Sequence, residues 1–117
     1  MTKDDRIAMH VAAVEEYHGF DLAEMRGPRR PRDLCEARAE LYFRLIILER
    51  KTLNWTLDFM YRSTSSTALW YVRAESNRRF NTPMNATIQD IQRVYHQRKH
   101  GVPNEGIRTR HPERDAA

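Results

Sequence analysis

Apolar residues return every three or four positions along most of this chain, which is the period of an amphipathic helix. Ile7, Val11 and Val14 make such a stripe over residues 4–17, with Asp4 and Asp5 favouring its N-terminus and Gly19 ending it. Asp21 then caps a short helix over residues 22–25, stopped by Gly27 and Pro28. The longest pattern opens at Asp33, read as an N-cap with Glu36 at the box position. It runs to about Arg50 through Leu34, Ala37, Leu41, Leu45 and Leu48. Phe43, Ile46 and Ile47 widen that stripe, so this helix is expected to be buried on much of its surface. Thr52 caps a helix to about Met60, and Thr64, Ser65, Ser66 and Thr67 open another that continues to about Asn77. Pro83 interrupts the chain between residues 77 and 85. Thr87 and Asp90 then form a capping box for a last helix to about His100, with Gly101 as its stop.

Nothing alternates with the period of a strand, so the predicted fold class is all-α, with five to six helices. A length of 117 residues suits one core. The expected organisation is a domain over residues 4–80, a further helix over 81–101 packed on or beside it, and a disordered tail over 102–117, where no apolar period survives. The two consecutive helices at 52–60 and 64–77, joined by a tight turn, have the layout of a helix-turn-helix.

Composition narrows the class. Hydrophobic residues at 40% and charged residues at 31% fit a folded chain rather than a disordered one. Apolar runs such as residues 45–48 are far too short to cross a bilayer, and the first residues lack the regions of a signal peptide. A cytoplasmic, non-membrane protein is therefore expected. Cys35 is the only cysteine, which excludes an intrachain disulfide and is read as a buried thiol.

The net charge of +4 is unevenly spread. Residues 1–25 carry two basic and six acidic side chains, whereas residues 26–32 carry four arginines and no acid. Residues 51–79 add five basic groups against two acidic ones. A basic patch beside an acidic flank is the outline of a protein that docks on phosphates through one face. The chain shows no nucleophile with a base nearby, no glycine-rich phosphate loop and no paired carboxylates, so neither an enzyme nor a cofactor is expected. His96 and His100 lie one helical turn apart without a third ligand to complete a metal set. Trp55, Trp70 and Tyr71, at helical spacing, read as core or partner-interface residues.

One ordered series of residues resembles a known family. Arg29-Arg30-Pro31-Arg32 looks like a basic loop, Arg38 falls on the long helix that follows, and Thr52-Leu53 opens the next helix. Ser66-Thr67-Ala68-Leu69 with Arg73 one turn later follows the turn. In this order, with no gap between Arg29 and Arg73, the series is similar to the C-terminal helix-turn-helix domain of the bacterial replication initiator DnaA. The likeness covers about residues 7–76, and that family's nucleotide-binding module has no counterpart in this sequence. Where the family carries Asp-His at the start of its recognition helix this chain has Thr64-Ser65, and the glycines of the turn are Tyr61 and Arg62.

The resemblance implies a nucleoid-associated protein whose partner is double-stranded DNA. The expected contacts are Arg29, Arg30 and Arg32 in a minor groove, Lys51 at a phosphate, and Arg62, Ser63, Thr64, Ser65, Ser66 and Thr67 at the major groove. Arg78 and Arg79 are expected at further phosphates. The other reading is a degenerate helix-turn-helix that serves as an adapter for replication or transcription proteins, supported by the loss of Asp-His and by the large apolar Trp55, Tyr61 and Trp70. The sequence leaves oligomeric state open.

Overall fold

A computed structural model describes residues 2–62 and 64–99, and among these the chain forms six helices and no strand. They are α1 (Lys3–His18), α2 (Leu22–Arg26), α3 (Arg32–Phe43, continued as a wider π turn over Arg44–Leu48), α4 (Leu53–Phe59), α5 (Ser65–Phe80) and α6 (Ile88–Lys99). None of these helices is long and apolar enough to cross a membrane. The expected stop at Gly101 and the tail lie outside the described residues.

Most helix ends follow from short-range chemistry. Asp21 accepts the Glu24 N–H at 2.8 Å while Glu24 accepts the Asp21 N–H at 3.1 Å, and Thr87 and Asp90 exchange the same pair of bonds at 3.0 and 3.2 Å. Thr52 accepts the Trp55 N–H at 3.0 Å. At α1 the capping box is formed by Thr2 with Asp5, and the helix starts at Lys3, one residue earlier than expected. Gly19 ends that helix at φ 79°, a left-handed conformation open to a residue without Cβ.

Two ends depart from expectation. Asp33 is not the cap of α3; the helix starts at Arg32, so this arginine belongs to the first turn rather than to the loop before it. Pro31 occupies the cap position at φ −65°, the value its ring imposes, and leaves Arg32 free to turn helical. Asp33 then sits within the first turn, where its charge suits the helix dipole. The other departure is α5, which runs to Phe80 instead of about Asn77. Phe80 is buried, and the helix stops only where Asn81 turns left-handed at φ 59°.

The core is built around α3. Every residue over positions 37–43 is buried, so this stretch is covered on all sides rather than along one stripe. α1, α2 and α5 all pack against α3. α6 closes one end, with Tyr95 edge-on to Phe43 at 6.3 Å and Arg98 over the Phe80 ring at 5.6 Å. Past Phe43 the helix widens: the Glu49 N–H reaches back five residues to the Arg44 carbonyl at 3.0 Å. Leu45, Ile46 and Ile47 are all buried within that turn, which extends the covered stretch of the helix.

An enclosed helix must satisfy its charged side chains internally. Arg38, 2% exposed, donates from Nε to the Met25 carbonyl and from Nη2 to the Gly27 carbonyl, both at 2.8 Å. It thereby serves the carbonyls at the end of α2 that have no helical partner. Glu40 accepts from Arg44 at 2.9 Å and pairs with His18 at 3.0 Å. Arg44 in turn donates to His10 Nδ1 at 3.1 Å, so His10 Nε2 carries the hydrogen offered to Glu49 at 2.7 Å, and Arg6 adds a second bond to Glu49 at 2.9 Å. This chain of six side chains fastens α1 to α3 and its π turn.

Burial alone would raise the Glu40 and Glu49 carboxyls, but the hydrogen bonds from His18 and Arg44 on one, and from Arg6 and His10 on the other, outweigh it. Both are held below the ordinary glutamate value of 4.5. The stability they contribute is complete above that value and is lost as pH falls through their lower folded values. Urea titrations at a series of pH values should therefore show stability dropping below pH 4.5, with a flatter dependence there in the Glu40→Gln/Glu49→Gln double variant. Equal slopes would mean that the network does not hold these charges. Tyr42 provides a second test, because its hydroxyl is buried without a hydrogen-bond partner among the described residues and burial pushes its pKa up to about 12. Tyr42→Phe should raise the unfolding free energy by about 1 kcal/mol, read as a higher urea midpoint at unchanged m value.

Candidate nucleic-acid interface

The residues expected to meet DNA come from two segments: the loop between α2 and α3, and the connection between α4 and α5. Four residues, 28–31, join the anchored Gly27 to α3, and prolines stand at both ends of this loop. Arg29 and Arg30 are exposed on it, and Arg32 follows at 92% side-chain exposure with only a long contact, 3.9 Å, to Glu36. In the connection, Thr64, Ser65 and Ser66 are exposed and Thr67 is half-buried. Ser63 lies outside the described residues. Thr64 occupies the N-cap of α5 without a side-chain hydrogen bond, unlike the caps of α1, α2 and α4.

Arginine side chains bind the two segments to each other. Arg62 donates from Nη1 to the Arg26 carbonyl and from Nη2 to the Gly27 carbonyl, both at 2.6 Å. Arg26 answers by donating from Nε to the Phe59 carbonyl at 2.8 Å. Its guanidinium carbon also lies 4.1 Å from the Tyr61 ring centroid and 4.8 Å from that of Phe59. Arg62, expected at the bases, is thus committed to backbone oxygens and holds the arginine loop beside the start of α5. Tyr61 stands at φ 57°, in the left-handed region where the sequence offers no glycine.

The contacts continue along α4. Phe59 stacks on Trp55 at 5.1 Å with only 9° between the planes, and Lys51 Nζ lies 4.4 Å from the Trp55 centroid. Tyr61, Arg26, Phe59, Trp55 and Lys51 therefore form one column, in which aromatic faces alternate in part with cations. It fixes Lys51 at one end of α4 relative to the arginine loop at the other.

Comparison with known protein families, curated proteins and solved structures returned no match.

Other expected residues go elsewhere. Arg78 and Arg79 both bond the buried Glu75 carboxylate, at 2.6 and 2.7 Å. Arg73 donates to the Ala86 carbonyl at 2.8 Å and so secures the turn before α6. Cys35 is half-buried rather than buried, 3.9 Å from the Tyr71 hydroxyl. It lines a cavity of about 780 Å³ with Ala13, Ala39 and Ala74. Tyr17 and Trp70 also border that cavity, at 80% and 55% exposure, so Trp70 is a surface residue and not part of the core. The cavity's charged lining is balanced: Arg32, Arg44 and Arg78 face Glu36, Glu40 and Glu75.

The loop–turn tie makes a direct prediction. Arg62→Ala leaves the Arg26 carbonyl without its charged donor and the Gly27 carbonyl with Arg38 alone, and should cost about 2 kcal/mol of stability. It should also speed tryptic cleavage after Arg29 under native conditions. Unchanged cleavage and stability would show that the loop is held by something else.

Proposed function

We propose that this chain binds double-stranded DNA as a regulator of replication or transcription, through a helix-turn-helix formed by α4 and α5. In this reading the start of α5 enters the major groove and Arg29, Arg30 and Arg32 reach the adjacent minor groove. The observation that carries it is the reciprocal bonding of Arg62 and Arg26. It ties the base of the loop that carries the exposed arginines to the chain at the end of α4, just before the uncapped start of α5, which favours both meeting one duplex. Backbone N–H groups at such a helix start suit phosphate oxygens. Hydroxyls at Thr64, Ser65 and Ser66 discriminate bases poorly, so modest sequence preference follows.

A second reading has its own support. Exposed Trp70 and Tyr17 beside a cavity lined with small side chains suit contact with a protein partner, as an adapter would need.

Fluorescence anisotropy with a labelled duplex separates the two. Under the DNA reading, log K falls against log salt with a slope of roughly −4 to −6, for about four to seven neutralised phosphates. Replacing Arg29, Arg30 and Arg32 by alanine should weaken binding to every sequence while circular dichroism stays unchanged. No binding at low salt, or binding independent of salt, would favour the adapter.

A further inference from the structure

The end of α4 remote from the arginine loop carries a second group of cations, of which only Lys51 was among the contacts expected from the sequence. Lys3 and Arg6 from α1 meet Arg50 and Lys51, from the connection between the π turn and α4, around a cavity of about 250 Å³. Thr52, Trp55 and Glu49 complete its lining. The one carboxylate among them is already engaged: Glu49 takes Arg6 Nε at 2.9 Å and His10 Nε2 at 2.7 Å. Asp5, close by in sequence, is turned back onto the Thr2 cap. Lys3, Arg50 and Lys51 have no carboxylate partner among the described residues, and Lys51 is held against Trp55.

The backbone adds an independent observation. Arg50 lies at φ 56° in the left-handed region, at the position where a helix end ordinarily has glycine. The Lys51 N–H bonds the Leu45 carbonyl at 3.0 Å and closes that helix end around it. A β-carbon is unfavourable there, so the arginine stands at a site where its backbone is less comfortable than glycine's would be.

We propose that Lys3, Arg6, Arg50 and Lys51 form a second phosphate site that takes the backbone of the same duplex. This rests on the DNA reading above. A helix of seven residues spans about 10 Å, so the two basic groups, at its opposite ends, are set apart to meet different phosphates of one duplex. α4 then bridges that distance with a cation cluster at each end, and the aromatic–cation column along it keeps the two clusters in fixed relation. The site carries no base-reading geometry; it adds affinity and orientation for any sequence.

The test uses the full chain, a labelled random duplex and salt titrations of wild type, Lys3→Gln/Arg50→Gly, and a two-charge control on α6, Arg93→Gln/Lys99→Gln. Glycine at position 50 relieves the left-handed strain, so the melting temperature of Arg50→Gly alone should hold or rise. The double variant should likewise keep the wild-type circular dichroism and melting temperature, so that a loss of binding is read apart from unfolding. The site variant should lower the salt slope by roughly 2, so that its affinity loss between 50 and 200 mM salt is about tenfold smaller than that of wild type, while the control keeps the wild-type slope. If wild type binds and the site variant keeps its slope, or if the control lowers the slope equally, the second site is wrong and the DNA reading stands. If wild type binds no duplex at low salt, the DNA reading fails and this site falls with it.

Discussion

A guanidinium enclosed in the centre of the fold sets the terms for what surrounds it. Arg38 sits within the fully covered stretch of α3, where an unpaired charge would be prohibitive, and its five donors all point outward from one plane. The oxygens it finds are backbone carbonyls of α2, a helix of only five residues with few internal bonds. Each requirement answers the other: the charge needs acceptors, and the end of the short helix needs donors. Arg62 repeats the solution from the far side. The chain leaving α2 is thereby clamped by two guanidinium groups, and the four residues after Gly27 emerge from a rigid base.

Local signals made much of this legible. Caps at Asp21, Thr52 and Thr87 act over three residues, so reading them needs no knowledge of the fold, and the apolar stripes placed every helix within a few positions of its observed bounds. The roles of the arginines were not legible in the same way. Arg29 and Arg62 look alike in sequence, yet one is exposed on a loop and the other is spent on carbonyls 35 and 36 residues away. One clue was present: Arg38 and Glu40 fall inside a helix already expected to be buried on much of its surface, and charges there require partners. His10 and His18 had no recognisable mates by spacing because Glu49 and Glu40 reach them only through tertiary packing.

The basic face and the aromatic cavity bear on function differently. On the loop side, Arg29 and Arg30 are exposed cations with no acidic partner among the described residues, on a loop whose base is tied down by Arg38 and Arg62. At the cavity bounded by Tyr17 and Trp70, opposite charges are closely balanced and the exposed groups are aromatic. A phosphate surface rewards the first arrangement, and the second offers little to a polyanion. The two surfaces meet at Arg32, which borders the cavity, and differ in chemistry on either side of it.

The π turn has a consequence for how this chain is compared with others. A wide turn absorbs one more residue than a regular turn does, without leaving the helix, and so behaves as an insertion hidden inside secondary structure. Residues before Arg44 and residues after Leu48 are offset by one position relative to an uninterrupted helix. A residue-by-residue correspondence carried across this point without a gap, from Arg38 to Ser66 for example, drifts by one position against any relative that lacks the turn. On a helix one position is about 100°, enough to exchange a side chain that faces a groove for one that faces the core.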